Sequence, residues 1–433
     1  MNFFKSFLIT SSTTIIATLL AIINNVIVTR ALGPEGRGIY AVISNLVIFL
    51  ALIFGEGIRR SNTIFAGKNN KLVRVLLFQT LVYSLLIFIL LSISYFFRFL
   101  YSNYLPNVTS TLLFIAFLIT IMTIVWQSNL AIFLGLQKIL EFNLLTFVQV
   151  ASFLLLNIIG ILLFNFGLEE IVVNLFVSCI VTIVLSLYYL KPMVVKSKKD
   201  EKISLKQVAF LGIKSTYAAG SMFLTLRSTI FFINFYLNPF QAGIYAVAAL
   251  FSEIMQKVPN VLGVIVISKT VSDNSNKPAD DSTRIVRMVF LFNLIVVIAL
   301  FFLGGIIIKI LFGTEFIDSF MPLKLLLPAI LFLGPGAILH AYYMGKAFPS
   351  AILWINGLVS LIHIILNLLF VPSYGIYAAS LICSITYFIW STSIIILFHI
   401  DTKKPITEIL FCKKEDFAYI SSAVKNKGLI RVK

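Results

Sequence analysis

The segment ALGPEGRGIYAV, residues 31–42, comes back 205 residues later as YLNPFQAGIYAV, residues 236–247. Leu32/Leu237, Pro34/Pro239, Gly38/Gly243 and the run Ile39-Tyr40-Ala41-Val42/Ile244-Tyr245-Ala246-Val247 are identical, seven of twelve positions. Each copy separates two long apolar runs. A repeat spanning half the chain means two structurally equivalent halves, and in a membrane protein such halves usually enclose a transport pathway. The shared Pro and Gly are turn residues, not apolar filler.

The rest of the chain fits a membrane. Hydrophobic residues make up 60% of it and charged residues 12%, far from a soluble domain. Apolar runs bounded by charge, Pro, Gly or Asn predict twelve spans near residues 7–29, 39–57, 73–97, 111–134, 144–164, 170–190, 207–236, 243–268, 286–311, 322–345, 350–371 and 376–399. The first is too long for a signal-peptide core, and no cleavage site follows it. With the N-terminus inside, the inner connections and tail hold 26 Lys and Arg and the outer ones five. That asymmetry predicts a multi-pass protein of the cytoplasmic membrane with both termini inside. It also accounts for the formal charge of +17 without nucleic acid. Three cysteines form no disulfide framework.

The lysine-rich stretch 191–206 reads as a cytoplasmic linker between a first six-helix bundle, residues 1–190, and a second, residues 207–400. Six spans is an even number, so the halves are parallel repeats. The expected fold is an all-α integral membrane protein, twelve transmembrane helices in two parallel six-helix repeats around a central cavity. A weaker echo agrees: Asn157 and Phe166-Gly167-Leu168 resemble Asn367 and Tyr374-Gly375-Ile376. The basic tail, residues 401–433, carries Phe417, Ile420 and Val424 at helical spacing and suits either a helix on the inner leaflet or a solvated segment.

Charges inside hydrocarbon are costly and usually face a cavity or a partner. Taking the second repeat turn as the outer surface, Arg227 lies roughly 13–14 Å deep and Glu253 roughly 15 Å deep at 1.5 Å per residue, near the midplane. Lys257 follows Glu253 by one helical turn on the same face. These three predict a net-positive site on spans seven and eight. Lys214, nearer the cytoplasmic end, joins it as a weaker candidate able to snorkel. The first half has no matching charges; Asn24, Asn25 and Arg30 are its candidates for an outer vestibule. Span eleven carries Asn356, Ser360, His363 and Asn367 on one face, and span ten carries His340. Such a stripe reads first as helix–helix glue. Glu253 and His363 are the candidates for carrying a coupling proton. No metal spacing, phosphate loop, catalytic triad or cofactor motif appears, and nothing argues for an enzyme.

The motif RALGPEGRGIYA, residues 30–41, closely resembles the first outer turn of the oligosaccharide flippases of the polysaccharide-transport family. NLLFVPSYGIYAA, residues 367–379, resembles that family's motif between spans eleven and twelve, and Gly135-Leu136-Gln137-Lys138 also fits. The resemblance covers the whole chain. It implies a polyprenyl-pyrophosphate-linked oligosaccharide as substrate, moved from the inner to the outer leaflet by alternating access for surface polysaccharide biosynthesis, as in O-antigen or capsule assembly. It further implies a cavity lined by spans one, two, seven and eight, H+ or Na+ as coupling ion, and glycan polymerase machinery as a partner. Arg and Lys suit a pyrophosphate.

Two other readings stand beside it. A cation-coupled multidrug exporter of the same superfamily is disfavoured by the positive midplane residues and by the lack of Asp or Glu in span one. A polymerase or ligase of lipid-linked glycans would need catalytic groups on an extended outer loop, and every outer connection is short.

Overall fold

The computed structural model describes residues 3–100, 103, 105–196, 205–273, 275, 277–346, 349–413 and 415–416. Twelve α-helices follow in chain order: α1 (Phe3–Lys68), α2 (Val73–Phe96), α3 (Ser110–Gly135), α4 (Ile139–Phe164), α5 (Leu168–Lys196), α6 (Leu205–Arg227), α7 (Thr229–Tyr236), α8 (Pro239–Ser272), α9 (Lys277–Phe312), α10 (Phe320–Gly345), α11 (Ser350–Thr402) and α12 (Ile406–Leu410). Among the described residues nine helices are long and apolar enough to cross a membrane, and the bent pair α6–α7 makes ten. Two of those, α1 and α11, each carry two spans hinged at Gly33 and Gly375. The fold is therefore all-α, with twelve spans in two six-helix repeats. Half of the linker expected at 191–206, residues 197–204, and the tail beyond Asp416 with Phe417, Ile420 and Val424, lie outside the described residues.

The hinges explain the quoted motifs. Gly33 stands at φ 62, ψ −177 and Gly375 at φ 64, ψ −148, a region open in practice only to glycine. At Gly33 the following Pro34 also withholds an N–H from the helical ladder. Sequence reading expects two helices and a turn at each place. The backbone instead passes from one helix to the next through a single non-helical residue, a short break that suits a segment where water is scarce.

Close packing divides the chain into two compact units. The first comprises Met1–Val247, Ile308–Ser319 and Ile364–Ala379, and the second Ala248–Ile307, Phe320–His363 and Ser380–Lys433. These are units of packing, whereas the repeat halves are a matter of sequence. In the first, α1 packs on α3, α4 and α6, and α3 and α4 pack on α5. Three apolar clusters fill it from end to end: Val28, Ile43, Ile119 and Ile171; Ala51, Ile87, Ile121 and Ile124; and Leu76, Phe133, Leu145 and Leu190. Leu85, Ile89, Leu155 and Leu162 stay on the surface. In hydrocarbon such side chains need no cover, so polar groups and small residues decide the helix contacts.

In the second unit, Asn356 meets His340 Nε2 at 3.3 Å and accepts a hydrogen bond from Trp390 Nε1 at 2.8 Å. Asn293 donates to the carbonyl of Ile330 at 2.9 Å. The expected stripe on span eleven thus does join helices. At one end of α9, Arg287 makes a bidentate pair with Asp416, both bonds 2.6 Å, and donates to the carbonyl of Glu408 at 3.0 Å. Both side chains are buried. The described start of the tail is thereby fastened to α9.

Candidate functional site

Span two, the second arm of α1, and span seven, α6 with α7, run antiparallel in the first unit, and their contacts keep one register. At the end carrying the repeat turns the two copies meet. A Cβ at Gly38 would lie 1.8 Å from the carbonyl oxygen of Pro239, and one at Gly243 would lie 1.8 Å from that of Pro34. Further along, Arg227 donates to Asn45 Oδ1 at 3.2 Å. The rings of Phe49 and Phe223 lie 5.1 Å apart, and Gly220 faces Ile53 and Leu52. At the far end a Cβ on Gly212 would come within 2.8 Å of Gly57 Cα. The two spans form a seam along their whole length.

Arg227 occupies the one break in this seam. It is the last residue of α6, and α7 leaves at 47° after Ser228. The Ser228 hydroxyl bonds back to the carbonyl of Leu224, a competition with the backbone that bends helices. Ser228 gives α7 no side-chain cap. The first N–H groups of α7, which carry the positive end of its dipole, therefore stand next to a half-buried guanidinium. Asn45, across the seam, is one hydrogen-bond acceptor for that guanidinium.

The other sequence candidates divide. Arg30 is exposed and donates to the carbonyls of Leu311 at 2.7 Å and Ile310 at 2.5 Å, the unsatisfied last turn of α9. Asn25 donates to the carbonyl of Ala21 at 2.9 Å and accepts from Arg37 at 3.3 Å. Asn24 is buried, accepting from Asn157, which in turn accepts from Asn174, at 2.9 and 3.0 Å; this chain of amides joins α1, α4 and α5. Lys214 is exposed, near Gly212. Glu253, half-buried, and Lys257, exposed, lie on α8 in the second unit. His363, fully buried there, meets Thr386 at 3.0 Å.

Sequence reading overlooked Asn45, the buried Arg37 and the Arg287–Asp416 pair. Asn45 had one available signal, a strongly polar amide in the apolar run of span two. Asp416 had none, because its partner lies 129 residues away.

The comparisons with known proteins agree with this architecture. No curated protein matches the sequence significantly. Among solved structures the chain is similar to the lipid II flippase MurJ in an inward closed conformation, with 16% identity, 93% of this chain and 89% of that one covered, and a TM-score of 0.72. It is also similar to an inward-facing multidrug resistance MATE family transporter of the MOP superfamily, with 15% identity, coverage of 92% and 98%, and a TM-score of 0.70. A MOP superfamily transporter from Pyrococcus furiosus, whose structure is noted for a binding pocket of reversed polarity, shows 15% identity, coverage of 94% and 96%, and a TM-score of 0.60. At such identities these likenesses show a shared fold. A family model described as "Polysaccharide biosynthesis protein" matches residues 3–267, more than half of the sequence, and the chain accordingly belongs to that family.

Proposed function

We propose that this protein is a flippase carrying a polyprenyl-pyrophosphate-linked oligosaccharide from the inner to the outer leaflet of the cytoplasmic membrane. The observation that carries this reading is Arg227, half-buried at the break of span seven beside an uncapped helix start. A broken span whose positive end faces a cavity is how transporters hold anionic groups near the bilayer centre. A guanidinium there suits a diphosphate, which it grips through paired, charge-assisted hydrogen bonds. The polyprenyl tail stays in lipid while the head group crosses. Lys214 and Lys257 have supporting roles in this reading, and Glu253 or His363 takes up a coupling proton. In this reading both termini lie in the cytoplasm, which the charge count supports.

The test is export of surface glycan in a host lacking its own flippase, with variants compared at equal membrane levels. Arg227→Ala lowers export about 10–100-fold, the worth of a charged hydrogen bond, Arg227→Lys retains part of it, and Lys257→Ala is also impaired. Full export by both alanine variants sinks the cationic site. Efflux of cationic dyes by the wild type, with glycan export unaffected by Arg227→Ala, would instead favour the drug-exporter reading.

A further inference from the structure

A second basic site lies in the first unit, away from the seam. The end of α1 with the α1–α2 connection, the α3–α4 connection and the end of α5 surround a cavity of about 930 Å3. Three lysines line it, Lys68, Lys71 and Lys138, together with the amides of Asn69, Asn70 and Gln137. Among the described residues no carboxylate lines it. Lys138 is shared with Glu141 at 3.1 Å, while Lys68 lies over the ring of Phe65 at 5.8 Å. The lining is net positive and contributed by three separate stretches of chain.

The fold keeps this cavity open. Gly135 packs so tightly on α1 that a Cβ there would lie 2.3 Å from the carbonyl oxygen of Thr63. Gln137 then turns the chain at φ 56, so α3 and α4 diverge at once and leave a gap against α5. On the α5 side the wall is Tyr189, Pro192 and Met193, flanked by the strongly exposed Tyr188 and Val195. Exposed aromatic and apolar residues of this kind on a spanning helix face lipid, and tyrosines gather where the hydrocarbon meets the head groups. The cavity is thus cationic inside and borders the bilayer at its rim. All three connections lie on the side that the charge count assigns to the cytoplasm.

We infer that this cavity binds the phosphate-bearing head group of an anionic phospholipid of the inner leaflet. A basic pocket between helices on the cytoplasmic side is the usual form of such a site. Three lysines match a phosphodiester by charge, the amides donate to its oxygens and glycerol hydroxyls, and the acyl chains run down the exposed face of α5. A soluble anion would gain the charge attraction but not the apolar rim.

Native mass spectrometry of the full-length protein with phosphatidylglycerol, phosphatidylcholine or inorganic phosphate tests the assignment, alongside thermal unfolding in the same additions. Wild type retains phosphatidylglycerol over phosphatidylcholine and is stabilised by it. The triple variant Lys68→Gln/Lys71→Gln/Lys138→Gln binds it on the order of 100-fold more weakly, because each lysine neutralised removes part of the attraction to the anionic head group. A control triple variant, Arg60→Gln/Lys277→Gln/Lys346→Gln, keeps the wild-type preference. Equal losses in both variants would reduce the effect to general surface charge and overturn the site. Stabilisation by inorganic phosphate with none from phosphatidylglycerol would make it a soluble-anion site and overturn the lipid assignment. Should the cavity variant not fold, Lys138→Gln alone and the salt dependence of lipid retention by the wild type decide the matter. Retention that survives molar salt unchanged contradicts a charge-held head group.

Discussion

Residues 31–42 and 236–247 share seven of twelve letters, and in the folded chain they also touch, since each copy's glycine rests on the proline carbonyl of the other. The helices leading into them differ. Span one runs unbroken to its hinge at Gly33, while span seven breaks at Ser228 just after Arg227. The cations differ in the same way. Arg30 caps the last carbonyls of α9, whereas Arg227 is turned to Asn45 inside the seam. Sterics where the copies meet require a residue without a side chain in both, and there the repeat is exact in letter and geometry. One helical turn away nothing demands symmetry, and the second copy has taken on chemistry that the first lacks.

Breaking the reciprocity of the glycines has the largest expected effect. Gly38→Ala and Gly243→Ala each push a methyl group into a backbone carbonyl, which cannot move aside as a side chain can. Each costs more than ordinary overpacking, about 1–3 kcal/mol, and both should fall by similar amounts in thermal midpoint and membrane yield. A tolerated Gly243→Ala beside a ruinous Gly38→Ala would show that the packing is not reciprocal.

The residues before the two prolines come next. Gly33→Ala forces a Cβ into a conformation reserved for glycine and costs about 1–3 kcal/mol. In the second copy that place is held by Asn238, whose side chain accepts from the N–H of Gln241 at 2.8 Å and starts α8 as a helix cap. Asn238→Ala costs about 1 kcal/mol and Asn238→Gly only a few tenths. If the two alanine variants lose the same stability, the turns are alike after all. The arginines give a smaller change still. Arg30→Ala removes an exposed charge at a helix end, about 0.3–1 kcal/mol, and leaves export near normal once levels are matched. Arg227→Ala shows the opposite pattern, little lost in stability and much in export.

Much of this comparison was legible in the sequence. Pro34, Pro239 and the two glycines mark the turns, and counting residues back from the second turn singles out Arg227 as a charge within span seven. The seam itself was not legible. Its register depends on Asn45, Phe49 and Gly57 meeting Arg227, Phe223 and Gly212, pairs brought together only by tertiary packing. The amides misled for a related reason. Asn24 sits one residue from Asn25 and looked equally suited to an outer vestibule, but adjacent residues point to different faces of a helix. Asn24 is bonded to Asn157 between helices, and Asn25 to Arg37.

The smallest effect concerns α9, whose two ends are held by different physics. Its end near Arg30 relies on a guanidinium donating to backbone carbonyls. Its other end relies on Asp416, whose carboxyl is held below its ordinary value of 3.8, chiefly by the hydrogen bonds from Arg287. A carboxylate with a depressed pKa in the folded state adds stability that is fully present above the ordinary value and is lost as pH falls through the lowered one. The tail attachment is therefore unchanged from pH 8 to about 5 and weakens only below 3.8. Asp416→Asn reproduces the acid state at neutral pH, and Cys412 reports it. That thiol donates to the carbonyl of Arg287 at 3.4 Å, while Cys179 and Cys383 are buried. Maleimide labelling of Cys412 should quicken about tenfold in Asp416→Asn through local opening, with little change in the global midpoint. Equal labelling of wild type and variant would mean that the ion pair does not hold the tail, and the second half would then be fastened at α9 no more firmly than the first copy's Arg30 fastens it.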